Sequence, residues 1–148
     1  MNYQLLRTRT TPQMNYHATK PGPFPDALDQ AVKHCAALAV NHGSNSFLVA
    51  THTLNQLESS VIEEVLTKPL VKELRKEKVA DLDGFKIFLM TERISATEFS
   101  GGPALAPHIS TDYLEDVMAL NYVTDIVYVP WTPDELDNYV STYDSKPL

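Results

Sequence analysis

Apolar residues recur along this chain with two different periods, and the switches between them mark its elements. Leu28, Ala31, Val32, Cys35, Leu38 and Ala39 follow helical spacing with Gly43 where a C-terminal cap belongs, which predicts a helix from Asp26 onward. Phe47 to Ala50 is a short unbroken apolar run, the pattern of a strand buried on both faces, and the run from Asp125 to Val129 reads the same way. Leu54, Leu57, Val61 and Val65 share one helical face, and Thr67-Lys68-Pro69 ends that helix and allows a short second one to Lys78. Val79 to Leu82 and Phe85 to Met90 flank Asp83-Gly84, a pair that favours the primed turn of a hairpin. Further on, Leu114, Val117 and Met118 predict a helix capped by Ser110 or Thr111, and Leu136, Tyr139, Val140 and Tyr143 predict the last one.

Three stretches lack such periodicity. Met1 to Pro25 holds a short strand-like piece, Tyr3-Gln4-Leu5-Leu6, and is then broken by Pro12, Pro21, Gly22, Pro23 and Pro25, so residues 1–24 are expected to form an extended arm. Glu92 to Pro107 is expected to be a long loop, and the tail from Asp144 is expected to be loose. Residues 25–148 then form one α/β domain. Its expected architecture is a three-layer sandwich with a small mixed sheet, buried strands near 46–51 and 125–130, a hairpin near 79–90, and about five helices.

Two junctions run from an apolar strand straight into a Thr-capped helix. At the second, Thr132, Pro133 and Glu135 supply an N-cap, a proline at the first helical position and the partner of a capping box, with Trp131 packing inward as a hydrophobic staple. At the first, Thr53 and Gln56 make the same box, but His52 occupies the staple position. A titratable ring stands where packing calls for an apolar one, and local rules are broken most often at functional sites.

Composition narrows the possibilities. A chain of 148 residues with 43% hydrophobic and 21% charged residues can bury a core of its own. No apolar run is long enough to span a bilayer, and the first residues lack the apolar core of a secretion signal, so a cytoplasmic location without membrane contact is expected. The net charge of -7 opposes nonspecific nucleic-acid binding. The basic cluster Lys72, Arg75, Lys76 and Lys78 alternates with Glu73 and Glu77 and reads as a solvated helix face. Cys35 stands alone, which removes disulfides and multi-cysteine metal sites, and its place on an apolar face makes it a core residue. The histidines have no metal-ligand spacing, and no Gly-rich nucleotide loop occurs, so neither a metal nor a cofactor is expected; Ser100-Gly101-Gly102 reads as a flexible turn.

Strand carboxyl ends collect ligands in open α/β sheets. Here they offer His52, Thr53, Glu92 and Arg93, with His108 further along, an imidazole, a carboxylate and a guanidinium in reach of one another if the sheet gathers them. The expectation is a small acidic domain that binds a polar or anionic small ligand there, with the 92–107 loop as its lid; whether the ligand is turned over is left open by spacing alone. The alternative is a non-catalytic interaction or self-assembly module that uses its Pro-rich arm to engage a protein partner or a copy of itself.

Overall fold

The computed structural model describes residues 12–148, and the strand expected at Tyr3–Leu6 lies outside them. Among the described residues the elements run β1 (Met14–His17), α1 (Pro25–Asn41), β2 (Ser46–Ala50), a 3₁₀ turn (Asn55–Glu58), α2 (Ser60–Leu66), α3 (Lys68–Glu77), β3 (Val79–Leu82), β4 (Phe85–Met90), β5 (Gly102–Pro107), α4 (Thr111–Met118), β6 (Val123–Val129), α5 (Pro133–Thr142) and β7 (Ser145–Pro147). The seven strands form one mixed sheet in the order β3-β4-β2-β5-β6-β1-β7. Only β3 runs antiparallel to its neighbour, through the expected Asp83-Gly84 turn, where both residues have positive φ.

Alternation along the central strands feeds two cores, one on each face. Phe47, Val49, Leu105, Val127 and Val129 pack with residues of α1, α2 and α3 on the first face. Leu48, Ala50, Ala104, Ala106, Ile126 and Tyr128 pack with α4, α5 and the 92–101 segment on the second. Burying each large apolar side chain stabilises the fold by about 1.5–3 kcal/mol, and because both faces are covered the middle of β2, residues 47–50, and of β6, residues 126–129, is a continuous apolar run rather than an alternation with polar residues. The result is the three-layer α/β sandwich expected from the periodicity. Cys35 is fully buried in the first core, and desolvation followed by the nearby Asp125 charge raises its thiol well above the ordinary value. At the other end of α1, His42 Nε2 meets Asp125 Oδ1 at 2.7 Å, and the Thr124 hydroxyl donates to the same oxygen at 2.7 Å.

The sheet is larger than the hydrophobic pattern implies. Met14–His17, inside the proline-broken stretch, is bonded between β6 and β7, so this part of the expected arm is an inner strand. Ser145–Pro147, in the tail expected to be loose, forms the edge strand beside it. Residues 102–107, expected to close a long loop, are a fully buried strand between β2 and β6. Gly102 and two prolines disguised it. Pro103 and Pro107 sit near its ends, and the register shifts at Gly102/Pro103, so few ladder donors are lost. Gly102 has φ of +142°, and a Cβ there would stand 2.8 Å from the Ser46 carbonyl oxygen.

The helix expected after β2 is also divided. Ser59 is extended at φ -62° and ψ 148°, its side chain accepts from the Ile62 N–H, and it restarts the chain as α2 after the single 3₁₀ turn.

Crossovers follow one hand. Those stepping one way along the sheet, from β1 to β2 and from β2 toward β4, carry α1, α2 and α3 over the first face; those stepping the other way, from β4 to β5, β5 to β6 and β6 to β7, cross the second. Neighbouring strands whose exits turn to opposite faces leave a crevice between them at the carboxyl edge.

Candidate functional site at the carboxyl ends of β2 and β4

Both strands end on a buried threonine that shapes the turn beyond it. The Thr51 hydroxyl donates to the Thr53 carbonyl at 2.9 Å. Thr91 Oγ1 accepts from the N–H groups of Arg93 at 3.2 Å and Ile94 at 3.1 Å. The Glu92 N–H donates to the His52 carbonyl at 3.3 Å, which ties the two exits together. Side chains of residues 52–55 and 91–94 thereby face each other across a cleft of about 460 Å³, with Arg75 of α3 completing the wall. Four of the five residues singled out from sequence, His52, Thr53, Glu92 and Arg93, share this cleft.

His52 is held from both sides. Its Nδ1 meets the Glu92 carboxylate, and its Nε2 accepts the Ser110 backbone N–H at 2.9 Å. An N–H pointing at Nε2 requires that nitrogen to be unprotonated, so the proton sits on Nδ1 and is donated to Glu92. The ring also lies against Tyr113 with centroids 5.2 Å apart. Burial, then the charges of Glu92 and Asp116, raise the Tyr113 hydroxyl above the ordinary phenol value. With both nitrogens engaged, His52 orients Glu92 rather than offering a free base, and the remaining acceptor capacity of that half-exposed carboxylate faces outward.

The capping box at this junction is shifted by one residue. Thr53 Oγ1 accepts from the Gln56 N–H at 3.2 Å as expected, but Gln56 Oε1 accepts from the His52 N–H, at 2.6 Å, rather than from Thr53. Its Nε2 then donates to the carbonyls of Pro107 at 3.4 Å and His108 at 3.2 Å. These bonds, with that between His52 and Ser110, close the gap between the exits of β2 and β5.

His108 does not join the others. It lines a separate cavity of about 230 Å³ with Pro23, Gln56, Ser59, Val61 and Trp131. The reason is connectivity: the exit of β5 turns toward α4 on the second face, on the far side of the Gln56 bridge from Arg93. Trp131, expected to be internal, is 48% exposed and meets the His108 ring edge-on at 4.7 Å.

Arg75 was concealed in the sequence. It belongs to a basic stretch that reads as a solvated helix face, yet its side chain turns to the cleft, with Nε 3.6 Å from Glu58 and one terminal nitrogen buried without an acceptor among the described residues. Arg93 is exposed and its guanidinium has no partner among the described residues. Two guanidinium groups lining one cleft, beside a carboxylate held by an imidazole, can hold an anion that also carries a hydrogen-bond donor.

Fold and cleft together define a class of protein, an α/β sandwich domain with a two-arginine crevice at a switch point of its sheet. No protein-family model, curated protein or solved structure matches the chain.

Proposed function

We propose that this protein binds a small anion bearing a hydrogen-bond donor, a phosphate monoester or hydroxy acid in chemical type, in the crevice between the ends of β2 and β4. The observation that carries this reading is the pairing of Arg75 and Arg93 on one cleft of about 460 Å³ in a chain whose net charge is -7. Surface cations in an acidic protein ordinarily find carboxylates, and Arg93 has none among the described residues. In this reading the guanidinium groups take the anionic end, Glu92 accepts from the ligand's hydroxyl, and His52 keeps Glu92 in place. Binding of this kind requires no proton transfer from His52.

The test is thermal unfolding with inorganic phosphate or glycerol 3-phosphate at constant ionic strength. A ligand at a hundred times its dissociation constant stabilises the folded state by about 2.7 kcal/mol, well above the resolution of the method. Arg93→Met keeps the apolar stem and removes a charge-assisted bond, so the apparent affinity is expected to fall by about 10- to 100-fold, with Arg75→Met acting in the same direction. Equal stabilisation of wild type and Arg93→Met, or none in either with both ligands, sinks the proposal.

A further inference from the structure

A second crevice opens where β6 turns to the second face and β1 to the first, and its construction is different. It is lined by Pro23, Gln56, Ser59, Val61, His108 and Trp131 and encloses about 230 Å³. That is below the roughly 300–1,000 Å³ of pockets that enclose whole drug-sized ligands and is ample for one ring system. No acidic, lysine or arginine side chain lines it.

Its polar groups are fixed in place. His108 has φ of +58°, in the left-handed region that non-glycine residues seldom occupy, and its Nε2 lies 3.1 Å from the Gly22 carbonyl oxygen. A carbonyl only accepts, so Nε2 carries the proton and Nδ1 is left as an acceptor with no partner among the described residues. Burial holds this imidazole below its ordinary value of 6.5, which keeps it neutral at pH 7. Gly22 is itself locked, since its N–H donates to the Pro130 carbonyl at 3.0 Å. Trp131 meets His108 at an interplanar angle of 67°, is 48% exposed beside the cavity, and its indole N–H has no acceptor among the described residues.

We propose that this crevice binds a neutral, planar heteroaromatic ring, stacked on Trp131 and donating a hydrogen bond to His108 Nδ1. The site is distinct from the arginine cleft and stands or falls independently of it.

Trp131 is the only tryptophan in the chain, so its fluorescence reports the crevice directly. Adenine, a planar ring with N–H donors and no phosphate, is expected to change that emission saturably, while cyclohexanol, of similar bulk but without an aromatic face, leaves it unchanged. His108→Asn tolerates the left-handed backbone and is expected to weaken adenine about fivefold, the loss of one neutral hydrogen bond. Trp131→Leu alters an exposed residue, and saturation-transfer NMR on the adenine protons is expected to lose its signal in that variant. Arg93→Met is expected to bind adenine as the wild type does, and inorganic phosphate to leave Trp131 emission untouched, which separates failure here from failure at the arginine cleft. The proposal is overturned if adenine gives no saturable change, if cyclohexanol matches it, or if transfer persists in Trp131→Leu.

Discussion

His52 owes its geometry to two neighbours that the local sequence does not contain. Glu92 arrives from the end of β4 and the Ser110 N–H from the start of α4, and together they settle which ring nitrogen holds the proton. Replacing His52 with alanine strands a half-buried N–H donor and frees Glu92, so a loss of about 1–3 kcal/mol in folding stability is expected from urea denaturation. An unchanged midpoint would show that the ring contributes nothing to holding the two exits together. His52 stood out in the sequence because an imidazole replaced an apolar staple. Arg75 gave no such signal, because a lysine- and glutamate-rich helix looks the same whether one of its arginines faces solvent or a cleft.

The two strand-to-helix junctions show how far local rules reach at the level of elements. Thr132 and Glu135 complete their capping box, with Thr132 Oγ1 accepting from Glu135 N–H at 3.2 Å and Glu135 Oε1 accepting from Thr132 N–H at 3.1 Å. Thr132→Ala is therefore expected to cost about 1 kcal/mol, measured as a shift in the denaturation midpoint. The first junction uses the same residue types differently, since Gln56 also bridges to the carbonyls after β5, and it caps only a four-residue 3₁₀ turn. The staple residue diverges as well: Trp131 swings out to His108 instead of packing down. β2, β4 and β6 were legible as strands because their apolar runs are long enough to be distinct. β5 was not, because the glycine and prolines that punctuate loops elsewhere sit at its ends, where a bulge tolerates them.

At the scale of the whole molecule, three histidines link folding to pH in the same direction. Desolvation lowers His17 and His34 below their ordinary value of 6.5, and it is the leading cause for His108 as well. Between the folded and unfolded values the unfolded chain binds more protons, so stability falls as the pH falls. Urea midpoints are expected to hold steady above the unfolded value of 6.5 and to decline as the pH drops through 6.5 toward the lower folded values of these residues. His108→Asn should flatten part of that decline. A midpoint that rises on acidification through this range would contradict the buried, neutral state of these rings.

The order of residues by itself determined the layered α/β architecture, the hairpin and the cap of the last helix, because each depends on periodicity or on side chains only a few positions apart. Tertiary structure alone decided the rest. Strand order and crossover hand choose which exits face each other, so they placed Arg75 in the cleft, moved His108 to a separate cavity with Trp131, and drew Met14–His17 and Ser145–Pro147 into the sheet. Pairing between β1 and β6 joins residues more than a hundred positions apart, and no local pattern encodes a contact of that range.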